Sequence, residues 1–182
     1  MPLLNTITTP YAEAFLQVAD GRNETEEIVE QARQVLALWH ESPELREAMA
    51  SPVLEIGAKK AALQSLFDGQ VTPSFLNLLK LLADRQRIGY LDAVLDRLLE
   101  LYRDQRHIAL AKVTSATALT EDQQAQIALK IQAVVGSDKL EIQHQVDPAL
   151  IGGFIVSVGS QVIDASLSGQ VRRLGLALAK VT

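Results

Sequence analysis

Residues 104–116 read DQRHIALAKVTSA, and the chain changes character across them. Before this stretch, hydroxyl–proline pairs recur ahead of apolar segments with helical spacing. After it, short runs alternate apolar and polar residues between glycine- and proline-bearing turns. A helix repeats its buried face every 3.6 residues and a half-buried strand every two, so a change of period marks a change of fold class. The expectation is two domains: an all-α bundle of six short helices over 1–105, and a smaller α+β domain over 106–182.

In the first part, Thr9-Pro10, Ser42-Pro43, Ser51-Pro52 and Thr72-Pro73 each offer a hydroxyl for a helix N-cap with proline at the first helical position, where its missing N–H costs nothing. The predicted helices run near 10–20, 24–41, 43–50, 56–68, 73–86 and 91–105, with Gly21 and Gly69 closing the first and fourth. In the second part, IALAKVTSA is strand-prone. LTEDQQAQIALKIQAVVG follows it as a helix, with Thr120 as N-cap and Gln123 in the capping-box position. LEIQHQV alternates strictly, Asp147-Pro148 turns the chain, and GFIVSVG and QVIDAS form two further strands about Gly159-Ser160. LSGQVRRLGLALAKV reads as a final helix.

Acidic residues outnumber basic ones, 22 to 17, for a net charge of -5. That balance disfavours nucleic-acid binding, which needs a cationic face to displace phosphate counterions, and it points to proteins as partners. With no cysteine there is no disulfide and no thiolate metal site. His40, His107 and His144 fit no ligand spacing, so neither a metal nor another cofactor is expected. A membrane span needs about 20 apolar residues. The longest apolar run here, Ala149–Val158, is broken by Gly152, Gly153 and Ser157. The start, MPLLNTITTPYAEAF, has neither the cationic opening of a secretory leader nor an arginine-rich transit profile.

No catalytic constellation emerges. GSQVID lacks the lysine of a P-loop, and IGGFIVSVG lacks the spacing of a dinucleotide fingerprint. GFIVSVGS does not read as a nucleophile elbow around Ser157 or Ser160. Asp164 is better explained as a cap for the following turn or helix than as a lone acid. The pair Gly152-Gly153 suits a position where the backbone needs positive φ or close approach.

The helical part carries a more positive signal. On a wheel, Phe75, Leu76, Leu78, Leu79, Leu81, Leu82 and Ala83 spread over roughly 220°, whereas one core contact needs a stripe of about 100°. By contrast, Leu91, Val94, Leu95, Leu98, Leu101 and Tyr102 keep to one side of their helix. The first helix is also broad, with Tyr11, Ala14, Phe15 and Val18 on one line and Leu16 well off it. Two such helices side by side would line a groove for an amphipathic partner helix. Periodicity alone is equally compatible with the second face being central in the bundle.

Four segments, YAEAF (11–15), FLNLLKLLADRQRI (75–88), AKVTSATALT (111–120) and VDPALIGGFIVSVGSQVIDASLSGQVRRL (146–174), together resemble the δ subunit of F-type ATP synthases, the relative of the mitochondrial oligomycin-sensitivity-conferring protein. The last is the most specific. Gly152, Gly153, Asp164 and Leu174 fall in the family order, while Ala165 and Ser168 stand where the family often has glycine and a basic residue.

The resemblance implies a non-catalytic stator subunit, peripheral to the membrane through its complex, on the cytoplasmic or stromal face of a plasma or thylakoid membrane. It implies that the N-terminal domain receives the N-terminal helix of an α subunit, for which Tyr11, Ala14, Phe15, Val18, Leu78, Leu81 and Leu82 are the candidate contacts. It implies that the C-terminal domain joins the b subunits of the peripheral stalk. A regulatory adaptor outside the synthase and an enzyme with a dispersed site are the competing classes.

Overall fold

The computed structural model describes residues 2–135, 139–159 and 161–171, and the chain divides into two compact units, Met1–Asp104 and Gln105–Thr182. The first is helical. Its α-helices are α1 (Pro2–Arg22), α2 (Thr25–Glu41), α3 (Pro43–Ala50), α4 (Ile56–Phe67), α5 (Pro73–Asp84) and α6 (Leu91–Arg106), with a 3-10 turn at Ile88–Tyr90 ahead of α6.

Helix α1 departs most from expectation, because it begins near the chain start and runs through Pro10 instead of opening there. An interior proline forfeits one backbone hydrogen bond and costs about 3 kcal/mol in a helix. Packing overrides that cost: Thr8, Ala12, Phe15, Leu16 and Ala19 are all buried, at helical spacing that continues across Pro10. Gly21 likewise does not close the helix. The positive φ falls on Asn23, at 56°, where the Glu24 N–H donates to the Ala19 carbonyl at 3.0 Å. This is the six-to-one bond of a Schellman ending, for which asparagine tolerates the left-handed conformation.

The other hydroxyl–proline pairs divide. Pro43 and Pro73 stand in the first turns of α3 and α5, and Thr72 caps α5 by accepting the Phe75 N–H at 3.3 Å. Ser51-Pro52 opens no helix. Ser51 Oγ accepts the Val53 N–H at 3.3 Å instead, a local serine turn that competes with helix initiation, and α4 starts later at Ile56. Gly69, at φ 74°, does follow the end of α4 in the left-handed region.

Trp39, Phe75, Ile28, Leu63, Leu79 and Leu82 are among the largest fully buried side chains of this unit. Helix α6 contributes Leu91, Val94, Leu95, Leu98 and Tyr102 as expected, with Leu99 buried while Leu101 stays half-buried.

The second unit contains β1 (Ala109–Ser115), α7 (Glu121–Val135), β2 (Leu140–Val146), a 3-10 turn at Pro148–Leu150, β3 (Phe154–Val158) and β4 (Gln161–Asp164). The sheet order is β2-β1-β3-β4. Strands β1 and β2 are parallel, with Ala109 opposite Leu140, and a parallel pair requires a crossover, which α7 supplies. The capping box at its start is complete: Thr120 N–H donates to Gln123 Oε1 at 3.0 Å, and Gln123 N–H to Thr120 Oγ1 at 3.4 Å. Ile127 and Ile131 of α7 pack on Ala111, Val113 and Val156 of the sheet. Strand β2 lies at the edge of the sheet, and Gln143–Val146 are exposed in spite of the alternating pattern.

The glycine pair is architectural. Ahead of it Leu150, Ile151 and Gly152 form a γ-turn, with Ile151 at φ 61° and the Gly152 N–H donating to the Leu150 carbonyl at 2.6 Å. Gly153 has φ 80°, and a Cβ there would drive into the Ala165 carbonyl oxygen. A Cβ on Gly152 would come within 2.7 Å of Leu167 Cδ1. The closeness extends the β3–β4 ladder: Ala165 N–H donates to the Phe154 carbonyl and Leu167 N–H to the Gly152 carbonyl, each at 3.0 Å.

Gly153→Ala therefore meets both a left-handed strain of roughly 1–2 kcal/mol and a backbone collision. Amide hydrogen exchange of the variant is expected to lose protection across β1, β3 and β4 and to keep it in α2, α5 and α6. Unchanged protection in the sheet would show that the close approach is not needed.

Candidate functional site: an apolar groove between helices α1 and α5

Helices α1 and α5 lie side by side and antiparallel. At one end Arg22 Nη1 donates to Ser74 Oγ at 3.0 Å, and at the other Arg87 Nη1 donates to Tyr11 Oη at 2.9 Å. Between them, the Phe15 and Phe75 rings meet edge to face, with centroids 5.6 Å apart. The start of α5 is held by buried polar bonds: the Thr72 N–H and hydroxyl donate to Gln31 Oε1 of α2 at 3.0 and 3.1 Å. Ser74 Oγ in turn donates to Glu24 Oε2 at 2.8 Å.

The two helices leave an open groove of about 510 Å³ along their outer side. Tyr11, Ala14, Phe15, Val18, Leu78 and Leu81 all line it. Phe15 and Leu78 form its floor at 6% exposure each, while Val18 and Leu81 stand on its walls at 46% and 42%. Leu82, predicted with them, does not reach it: that side chain is fully buried in the core. The breadth of α5 on the wheel thus has two sources. Phe75, Leu76, Leu79, Leu82 and Ala83 are buried by the helical unit itself, and Leu81 alone among the leucines of α5 is exposed. On α1, Leu16 is buried, away from the groove, so the line through Tyr11, Ala14 and Val18 is the outer face.

Ile7, Pro10, Asn77 and the two arginines also line the groove. Ile7 is missed when the helix is drawn to begin at Pro10, although residues 7, 11, 14 and 18 follow heptad spacing in the sequence. Helical continuity through the proline depends on packing against the rest of the unit, which a local rule does not see.

The second unit has a differently built motif. Asp164 Oδ1 accepts the Ser166 N–H at 2.9 Å and its hydroxyl at 2.5 Å, and Ser166 Oγ accepts the Gly169 N–H at 3.0 Å. Ser166 is thereby the N-cap of the helical residues 167–171, and Asp164 orients it. A Cβ on Gly169 would collide with the Asp164 carboxylate. Ser168, one of the two departures from the family pattern, places its Oγ 3.0 Å from that of Ser166. Leu174 and the end of the predicted last helix lie outside the described residues.

His40 stands in the last turn of α2, His107 after α6 and His144 on β2. No cluster of three or more histidine, aspartate or glutamate side chains suited to a metal occurs among the described residues. No helix among them is long and apolar enough to cross a membrane.

The family model for the ATP synthase delta (OSCP) subunit matches residues 7–178. The chain belongs to that family. Among its δ relatives, the ATP synthase subunit delta of Prochlorococcus marinus (strain MIT 9303) is 73% identical over 182 residues, the full length of both chains. The subunit of the same name from Synechococcus sp. (strain CC9605) is 62% identical over the same full length. A chain in the cryo-EM structure of the Toxoplasma gondii mitochondrial ATP synthase hexamer shares the fold at TM-score 0.72 and 20% identity, covering 95% of this chain and 97% of that one.

Groove-lining and core positions of the helical unit are separable by stability. Ala14 is exposed, so Ala14→Asp is expected to cost the free chain about 1 kcal/mol or less. Leu82→Ala removes a fully buried side chain and is expected to cost about 2–5 kcal/mol. Urea denaturation followed by the helical circular dichroism signal checks both, and a large loss in Ala14→Asp would place that residue in the core.

Proposed function

We propose that the chain is a non-catalytic stator subunit of an F-type ATP synthase. In this reading the helical bundle, residues 1–105, holds the catalytic head by taking the amphipathic N-terminal helix of an α subunit into the α1–α5 groove. The α+β domain, residues 106–182, joins the b subunits of the peripheral stalk. The observation that carries the reading is the groove: a concave apolar surface between two helices, on a member of the δ/OSCP family, of the kind that receives an amphipathic helix. The relatives' shared name, ATP synthase subunit delta, supports assembly into the synthase, and the acidic composition fits protein docking better than nucleic-acid binding.

The role is mechanical. Proton flow through the membrane part turns a central rotor inside the head, and the head delivers conformational work to its catalytic sites only if it does not rotate with the rotor. A chain with two partner surfaces, one for the head and one for the stalk, supplies that restraint without making or breaking a bond. In this reading it sits at the membrane only through the complex, on the cytoplasmic or stromal side of a thylakoid or plasma membrane.

A chain ending at Gln105 is expected to dock on the head yet fail to tether it. Membranes stripped of the subunit and reconstituted with full-length or truncated chain should recover proton-driven ATP synthesis with the former only, while ATP hydrolysis, which needs the head alone, persists with both. Head binding is scored separately by sedimentation. Full synthesis with the truncated chain would remove the C-terminal domain from the stator link.

A further inference from the structure

Two arginines border the groove, and their surroundings differ. Arg22 is tied through Ser74 Oγ to Glu24, which places a carboxylate within one hydroxyl of its guanidinium. Among the described residues, Arg87 bonds to no carboxylate. Its Nη1 donates to Tyr11 Oη at 2.9 Å, and its guanidinium carbon lies 5.5 Å from the centroid of the Tyr11 ring. A phenol steadies the side chain through a hydrogen bond and a cation–π contact but does not neutralise it. The α5 residue before the turn, Asp84, is engaged elsewhere, by Lys60 at 2.9 Å. Arg87 is thus a pre-oriented, exposed cation at the Tyr11 end of a mostly apolar groove.

We propose that Arg87 is a specificity-determining residue of the groove: it pairs with an aspartate or glutamate side chain on the docked helix and so sets that helix's register and direction. The inference rests on the groove reading above and adds the chemistry of the occupant. A guanidinium presents a planar fork that matches a carboxylate with two parallel hydrogen bonds. The Tyr11 contact restricts the side chain before docking, which lowers the rotamer cost of forming the pair. The docked helix would cover the arginine and strengthen an interaction that is weak in open solvent. Because Arg22 is already engaged at the far end, the groove is electrically asymmetric, and an amphipathic helix with one acidic end is received in one direction.

The test is titration calorimetry of the full-length chain with a C-terminally amidated peptide covering the N-terminal helix of the α subunit from the same organism. Amidation removes the terminal carboxylate as a source of the charge. The wild-type chain should bind more weakly as NaCl rises, and Arg87→Gln should lose about tenfold in affinity and most of the salt dependence. Arg87→Lys should recover part of the loss. Peptides with single Asp→Asn or Glu→Gln changes should include one that weakens binding to wild type by a similar factor and leaves binding to Arg87→Gln unchanged.

The inference is overturned if Arg87→Gln binds like wild type, if no acidic peptide position couples to Arg87, or if Arg87→Lys is no better than Arg87→Gln, which would trace the loss to packing on Tyr11. Ala14→Asp separates this from the groove reading. If it abolishes binding while Arg87→Gln does nothing, the groove stands and the arginine's role falls. If it binds like wild type, the groove reading fails and the inference fails with it.

Discussion

The geometry of the groove depends on one buried polar junction, the two bonds from Thr72 to Gln31 Oε1. Both residues are buried, at 7% and 8% exposure, and a buried polar group left without its partner costs about 1–3 kcal/mol. The Thr72 hydroxyl also accepts the Phe75 N–H, so the group that caps α5 is the same one that pins it to α2. Two residues on, Ser74 is bound by Arg22 and bound to Glu24, at the turn between α1 and α2. Helix α5 therefore has little freedom to slide or rotate, and Leu78 and Leu81 face the groove because its start is fixed.

The proposed role as a joint would benefit from this kind of construction. Apolar burial is non-directional and tolerates small rotations, whereas a connected set of hydrogen bonds selects one register. The aromatic contact between Phe15 and Phe75 adds a second directional restraint between the same helices. The groove is consequently a preformed surface, and the docked helix proposed above would lose its own freedom without requiring much of the wall.

The second unit is held together by other means. Its described core is small, five buried side chains with partly buried neighbours, and backbone proximity compensates. Gly152 and Gly153 let one segment lie against residues 165–167. Asp164, Ser166 and Gly169 form a linked cap, in which the carboxylate orients the hydroxyl that starts the next helix. The glycine-rich residues that match no phosphate or dinucleotide pattern in the sequence serve to hold the backbone.

The sequence by itself determined the change from helical to mixed structure near residues 104–108, the proline-marked starts of α3 and α5, the capping box of α7, and the structural use of the glycine pair. These rest on local physics: periodicity, cap chemistry and the restrictions on φ are all written within a few residues. It also held the breadth of the apolar face of α1, with Tyr11, Ala14 and Val18 on one line, and the family, while leaving open whether that line faces outward. Only the tertiary structure decided that α1 continues through Pro10, that Ile7 extends the stripe, that Leu82 belongs to the core while Leu81 faces outward, and that Arg87 meets Tyr11 across 76 residues of chain. A helical wheel shows how wide an apolar face is, but which part of that width is covered depends on where the neighbouring helices lie, and those are brought there by residues distant in sequence.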